Sequence, residues 1–236
     1  MEDNRTISQG LVNSLGLNYE PVGVFLYGIN DSPAEPYSAG DYKSYCEALA
    51  LAAKGKTLLL MREQMGCKLG TSVLGFEEDM ERYIDDGILE KYGVGLFATE
   101  EASASTINNS TFLEKGKTKA VRVGPLSTFR EKPQVVVFIV DSEQAMWLLY
   151  AVNYKSGGRM DLPQSGGALG GCADITALPY LKGISNITFL GLGCRMKSAI
   201  KASHLMMGIP GKSVGDVHKH ILEMEKPIAM LKKALG

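Results

Sequence analysis

The sequence has no surplus of positive charge: 25 lysines and arginines stand against 26 acidic residues, a formal net charge of -1. Nucleic-acid backbones are bound mainly by clustered cations, so no nucleic-acid partner is expected. Long hydrophobic runs are also missing. The longest apolar stretches, such as residues 135–140, fall far short of the roughly 20 residues a membrane-spanning helix needs, and no membrane partner is expected either. The first residues, Met1-Glu2-Asp3-Asn4-Arg5, lack the charged-then-apolar pattern of a secretory signal. The expected location is therefore the cytoplasm, where thiols stay reduced and structural disulfides are rare. Neither an internal repeat nor a low-complexity tail is present. The four cysteines, Cys46, Cys67, Cys172 and Cys194, include no C-x-x-C pair, which excludes the local patterns of zinc ribbons and ferredoxin-like sites. With only three histidines and no Ser-His-Asp order in an elbow context, no hydrolase triad or histidine metal pair stands out.

The chain does have enough apolar material for a core, 45% of 236 residues. A helix is expected over 6–15, amphipathic through Ile7, Leu11 and Leu15 and stopped at Gly16. Strands are expected over 21–27, 58–61, 94–98, 120–123, 135–140 and 186–190. A helix capped by Asp41 and stopped by Gly55 carries Cys46, Leu49, Ala50 and Ala53 on one face, turning Cys46 inward. Further helices are expected near Leu74, over 80–91, over 143–154 with Ala145, Met146, Leu149 and Tyr150 on one face, and over 175–181. A last helix over 217–235 should be kinked or split by Pro227. His218 and His220, two apart on a helix and so pointing in different directions, read as surface residues, and the Met206-Met207 pair as core filling. Helices and strands mix without a regular alternating beat. The expected architecture is α+β, one domain over residues 1–236, with a mostly antiparallel mixed sheet flanked by helices.

The candidate site is the set of cysteines. Cys67, Cys172 and Cys194 each follow a glycine directly, and glycine lets backbone N–H groups approach whatever a sulfur binds. Gly171, Gly193 and Arg195 are therefore cofactor-binding candidates, with Arg195 adding a fixed positive charge beside Cys194. Plain packing competes with this reading, because free cysteine is among the most buried residue types. The glycine-rich segment 166–171 lacks the lysine and hydroxyl of a phosphate-binding loop. Its glycines are read as permitting tight turns beside the site. Glu47 is a candidate proton acceptor or a solvated helix residue, and Arg159 an anion contact or a surface ion-pair residue.

Several short motifs then follow one another in order. They are Pro21-Val22-Gly23-Val24, Cys46-Glu47-Ala48-Leu49, Cys67 with Leu74-Gly75, Gly124-Pro125-Leu126, Glu143-Gln144-Ala145-Met146 with Tyr154 and Gly157, Cys172, and Gly208-Ile209-Pro210. Through them the chain resembles, over nearly its whole length, the family catalogued as domain of unknown function 169, found in archaea and anaerobic bacteria. The resemblance implies that the positions of Cys46, Cys67 and Cys172 carry cysteine and that the position of Cys194 varies. It implies no settled activity. An oxygen-avoiding lineage favours an iron–sulfur cluster, of the 4Fe–4S type, held by Cys46, Cys67 and Cys172 and completed by Cys194 or an outside ligand. The expected function is a cytoplasmic, redox-related metal or cluster protein acting on a small molecule or a redox partner protein, with homo-oligomerisation left open. The alternatives are a binding module for a small anionic ligand and a thiol-dependent enzyme with Cys67 or Cys194 as nucleophile, activated by Lys68 or Arg195.

Overall fold

Strand β4 (Val135–Val140) is buried along its whole length, which requires cover on both faces of the sheet around it. The computed structural model, which describes residues 2–33, 44–77, 96–165 and 167–235, supplies that cover. A six-stranded sheet runs in the order β2-β3-β1-β4-β6-β5, formed by β1 (Val22–Gly28), β2 (Leu58–Met61), β3 (Thr118–Pro125), β4, β5 (Asn186–Thr188) and β6 (Leu205–Pro210). Every neighbouring pair is antiparallel. The fold is α+β.

Alternation along the strands sorts the core into two layers. Val135, Val137 and Ile139 of β4 join Val22, Val24, Leu26, Val121 and Val123 on one face. Val136, Phe138 and Val140 join Leu205, Met207 and Ile209 on the other. The second face is covered by α1 (Asn4–Leu15), α5 (Ser142–Val152) and α8 (Val214–Leu235). In α8 the residues Val214, Val217, Ile221 and Met224 repeat at helical spacing and are all buried. The first face is covered by α2 (Tyr45–Ala52), α3 (Lys68–Val73) and a π-helix (Gly170–Ala177), with α7 (Leu192–Ser198) against α2. Helices α4 (Glu100–Asn108) and α6 (Leu178–Lys182) complete the described elements.

The helix ends follow local chemistry. Asp3 accepts a 2.7 Å hydrogen bond from the Thr6 N–H at the start of α1, and Gly16 closes that helix in the left-handed region. At α5, Asp141 and Gln144 form a reciprocal capping box.

Several expectations need correction. The inner face of α5 is Gln144, Ala145, Leu148 and Ala151, whereas Met146 and Tyr150 are exposed. The Gln144 side chain decides this rotation. It donates to the carbonyls of Leu15 and Gly16, at 3.5 and 2.9 Å, and so satisfies the end of α1. His218 and His220 are buried, not on the surface, and so is His204. His218 Nδ1 meets Glu2 Oε2 at 2.8 Å, His220 Nδ1 donates to the Ala151 carbonyl at 2.8 Å, and His204 Nδ1 meets Ser203 Oγ at 3.2 Å. In each ring Nδ1 is partnered, whereas Nε2 is buried with no hydrogen-bond partner among the described residues. Helix α8 runs through Pro227 unbroken, because both of its halves carry residues packed on the same layer, Ile221 and Met224 before the proline and Ile228 after it.

Helix α2 is capped by Ser44, and Asp41 lies outside the described residues, as do the helix expected over 80–91 and the start of the strand expected over 94–98. Residues 96–98 form bends. Helix α4, α7 and strand β6 went unread in the sequence. Met206 and Met207 are core residues, fully buried on opposite faces of β6.

Candidate four-cysteine site

Each cysteine reaches the first face of the sheet on a different element. Cys46 sits in the first turn of α2, on its inner side, 2% exposed. Its neighbour Tyr45 is equally buried, and its hydroxyl lies 3.1 Å from Thr176 Oγ1. Thr176 in turn donates to the Gly171 carbonyl at 2.8 Å, so the Tyr45 O–H is the donor to Thr176. This chain ties α2 to the π-helix that carries Cys172. Cys67 is the N-cap of α3, and its carbonyl accepts from the Thr71 N–H and hydroxyl, both at 2.9 Å. Cys172 is buried and donates its S–H to the Leu169 carbonyl at 3.4 Å. Cys194 is half-buried in the first turn of α7.

The backbone around the site is unusual. A π-helix is rare and is often found at functional sites. This one begins after Leu169, whose φ of 59° lies in the left-handed region, as does the 63° of Leu190 in the facing loop. Such a conformation costs a non-glycine residue on the order of 1–3 kcal/mol. The glycines serve close approach. A Cβ on Gly171 would lie 2.6 Å from Cys46 Sγ, and one on Gly191 would collide with the Gly167 carbonyl. The two glycine-dense segments therefore pack backbone to backbone. That is a tighter role than the turns expected from the sequence.

Cys46, Cys172 and Cys194 pack in one apolar cluster, and Cys46 and Cys194 shift each other's proton affinity. The charges of Cys194 and Cys67 bear on Cys172. Within this group the proton affinities diverge. Cys46 is held well above the usual thiol range, first because its S–H donates to Cys194 and then because it is buried. Burial, followed by the neighbouring thiols, pushes Cys172 up as well. Cys194 is lowered by the Cys46 S–H, by the Gly171 N–H and by the nearby Lys197. In the metal-free protein, iodoacetamide at neutral pH is therefore expected to label Cys194 well before Cys46 or Cys172. A Cys46→Ala substitution should slow that labelling by a factor on the order of ten, by removing the S–H donor. Peptide mass spectrometry over a time course reads both effects, and equal labelling of Cys46 and Cys194 would contradict them.

Of the other candidates, Gly171 lies against Cys46 Sγ. Gly193 is exposed, and a Cβ there would touch nothing. Arg195 directs its guanidinium to the carbonyls of Phe189, Lys201, Ala202 and His204, with the shortest contacts at 2.8 and 2.9 Å. It braces the loop behind α7, and the cation acting on Cys194 is Lys197. Arg159 is exposed. The sequence reading missed Asp174, two residues after Cys172 and 7% exposed. Its signal was available, a lone charge in the small-residue run Gly170-Gly171-Cys172-Ala173-Asp174-Ile175-Thr176-Ala177. Burial raises its carboxyl to about 6, against hydrogen bonds from Ser165 and Thr188. The charge of Asp174 also bears on Cys172 and Cys194. Among the described residues, no three histidine, cysteine, aspartate or glutamate side chains are already arranged as a metal-binding group.

A six-stranded antiparallel sheet between helical layers, with four cysteines drawn to one face, defines an α+β protein with a candidate thiol site. The chain belongs to the family of domain of unknown function 169, described as uncharacterised ArCR, whose profile matches residues 10–220. It is similar to an uncharacterized protein of Methanocaldococcus jannaschii, 27% identical over 176 residues that make up 74% of each chain. No solved structure matches it significantly. Among the described residues, no helix is long and apolar enough to cross a membrane.

Proposed function

We propose that Cys46, Cys67, Cys172 and Cys194 form the ligand set of one metal centre, an iron–sulfur cluster of the 4Fe–4S type, in a redox-related cytoplasmic protein. One observation carries this reading: Cys46, Cys172 and Cys194, carried by α2, the π-helix and α7, pack in one apolar cluster, with the Gly171 backbone close against Cys46 Sγ. The surroundings suit thiolates that share their charge with a metal. Cys46 and Cys172 are shielded by Ala168, Leu169 and Leu190 in one apolar cluster. The Gly171 N–H supplies the kind of donor that tunes such a site. Anaerobic expression with iron supplied, followed by iron and acid-labile sulfide analysis, is expected to return both in similar amounts, together with a brown colour bleached by reductant. A colourless, metal-free protein would overturn the reading.

The packing of Cys194 against the cluster that holds Cys46, with the opposite shifts of their proton affinities, favours a second reading in which the two are a dithiol pair. Loss of two protons and two electrons to a disulfide-class acceptor would join their sulfurs. A mass two protons lighter, with a Cys46–Cys194 peptide in a metal-free sample, is its signature.

A further inference from the structure

On the outer side of the π-helix a cavity of about 300 Å³ lies between the end of α4 and the segment leading into the glycine-rich run, with Asp174 in its wall. Three independent features give this cavity one chemical character. First, the Asp174 carboxyl is buried without a cation. Among the described residues it makes no ion pair, and its side-chain hydrogen bonds to Ser165 and Thr188 are both long, at 3.5 Å. A buried carboxylate left this way has unmet demand for positive charge.

Second, the polar side chains opposite it turn their donors away. Thr106 Oγ1 donates to the Ala102 carbonyl at 3.2 Å and Ser110 Oγ to the Thr106 carbonyl at 2.8 Å. The Asn109 amide nitrogen donates to the Ser105 carbonyl at 2.8 Å and to Ser105 Oγ at 3.2 Å. Thr106, Asn109 and Ser110, which donate back to their own helix, keep acceptor lone pairs for a guest, beside the Ser105, Thr111 and Gln164 side chains. Third, Ser105 and Thr106 belong to the last turn of α4, the end of a helix that carries partial negative charge and favours cations.

We infer that this cavity is a binding site for a small organic cation bearing an ammonium or guanidinium group, with the Asp174 carboxylate as its counter-ion. The site is separate from the cysteine ligand set and stands whether or not that set holds a metal. Because the charge of Asp174 reaches Cys172 and Cys194, a cation bound here adjoins the thiol site.

Calorimetric titration of the full chain at pH 8 tests this, using 1,4-diaminobutane and agmatine against the neutral 1,4-butanediol, the anionic succinate and potassium chloride. The diamine or agmatine should bind at one site per chain at least tenfold more tightly than the diol, with no binding of succinate. Asp174→Asn should weaken that binding at least tenfold. Thr106→Phe, which keeps the carboxylate and fills the cavity from the opposite wall, should do the same, with circular dichroism confirming that both variants fold. Equal binding of diol and diamine, full retention in folded Asp174→Asn, saturation by potassium alone, or no binding of any probe would each overturn the inference. Iron and sulfide measured on the same samples keep its failure distinct from that of the cluster reading.

Discussion

Replacing Asp174 by asparagine is expected to stabilise the protein at pH 8, by up to about 3 kcal/mol. The carboxyl is raised from 3.8 to about 6 in the folded chain, chiefly by burial. The native state therefore binds this proton more tightly than the unfolded chain does. The sign follows from that difference. The favourable contribution is fully present below pH 3.8 and is lost as the pH rises through about 6, above which folding buries a charged carboxylate. The facing groups are the Ser165 and Thr188 hydroxyls and, at longer range, the Cys172 and Cys194 thiols. None is a cation, so the hydrogen bonds from Ser165 and Thr188 offset the burial of charge only in part. Asparagine keeps an oxygen able to accept from Ser165 while removing the charge. Urea unfolding at pH 4 and pH 8 checks this: the variant should gain over the wild type at pH 8 and lose most of that gain at pH 4. Equal stabilities at pH 8 would show that the folded carboxylate is already well compensated.

The largest loss of stability is expected from Phe138→Ala, about 3–5 kcal/mol. Phe138 is 1% exposed at the middle of β4, paired with Met207 of β6 and packed in the layer shared with α1, α5 and α8. Removing the ring leaves a cavity between rigid layers that collapse poorly. The cysteines lie across the sheet, against the face formed by Val137 and Ile139. At a temperature where the variant is folded, the labelling order of Cys194, Cys46 and Cys172 should therefore be unchanged. A shift in unfolding free energy below about 1 kcal/mol, or altered labelling in the folded variant, would contradict the two-layer arrangement.

Much of this architecture is written in local pattern. The apolar run of β4 and the Ile7–Leu11 spacing with its glycine stop in α1 are signals a few residues long. Elements that depend on distant partners were harder to read. Strand β6 is interrupted by Gly208, whose site is filled by the Ile175 backbone across the fold, and glycine in isolation argues against a strand. Helix α7 begins in a Gly-x-Gly stretch that looks like a turn, although Gly191 is small because the Gly167 carbonyl presses against it. The buried histidines misled for the same reason, since their partners Glu2 and Ala151 lie 216 and 69 residues away.

By itself the sequence determined the α+β class, the burial of Cys46 on its helix face and the set of thiols available to any site. Tertiary structure alone decided that Cys46, Cys172 and Cys194 pack together, that Arg195 spends its guanidinium on backbone carbonyls, and that Asp174 lies in a cavity wall. The physical reason is range. Periodicity and capping are set by neighbours within about one helical turn, whereas the proton affinity of a thiol or carboxylate is set by whichever groups the packed layers bring within a few ångströms of it.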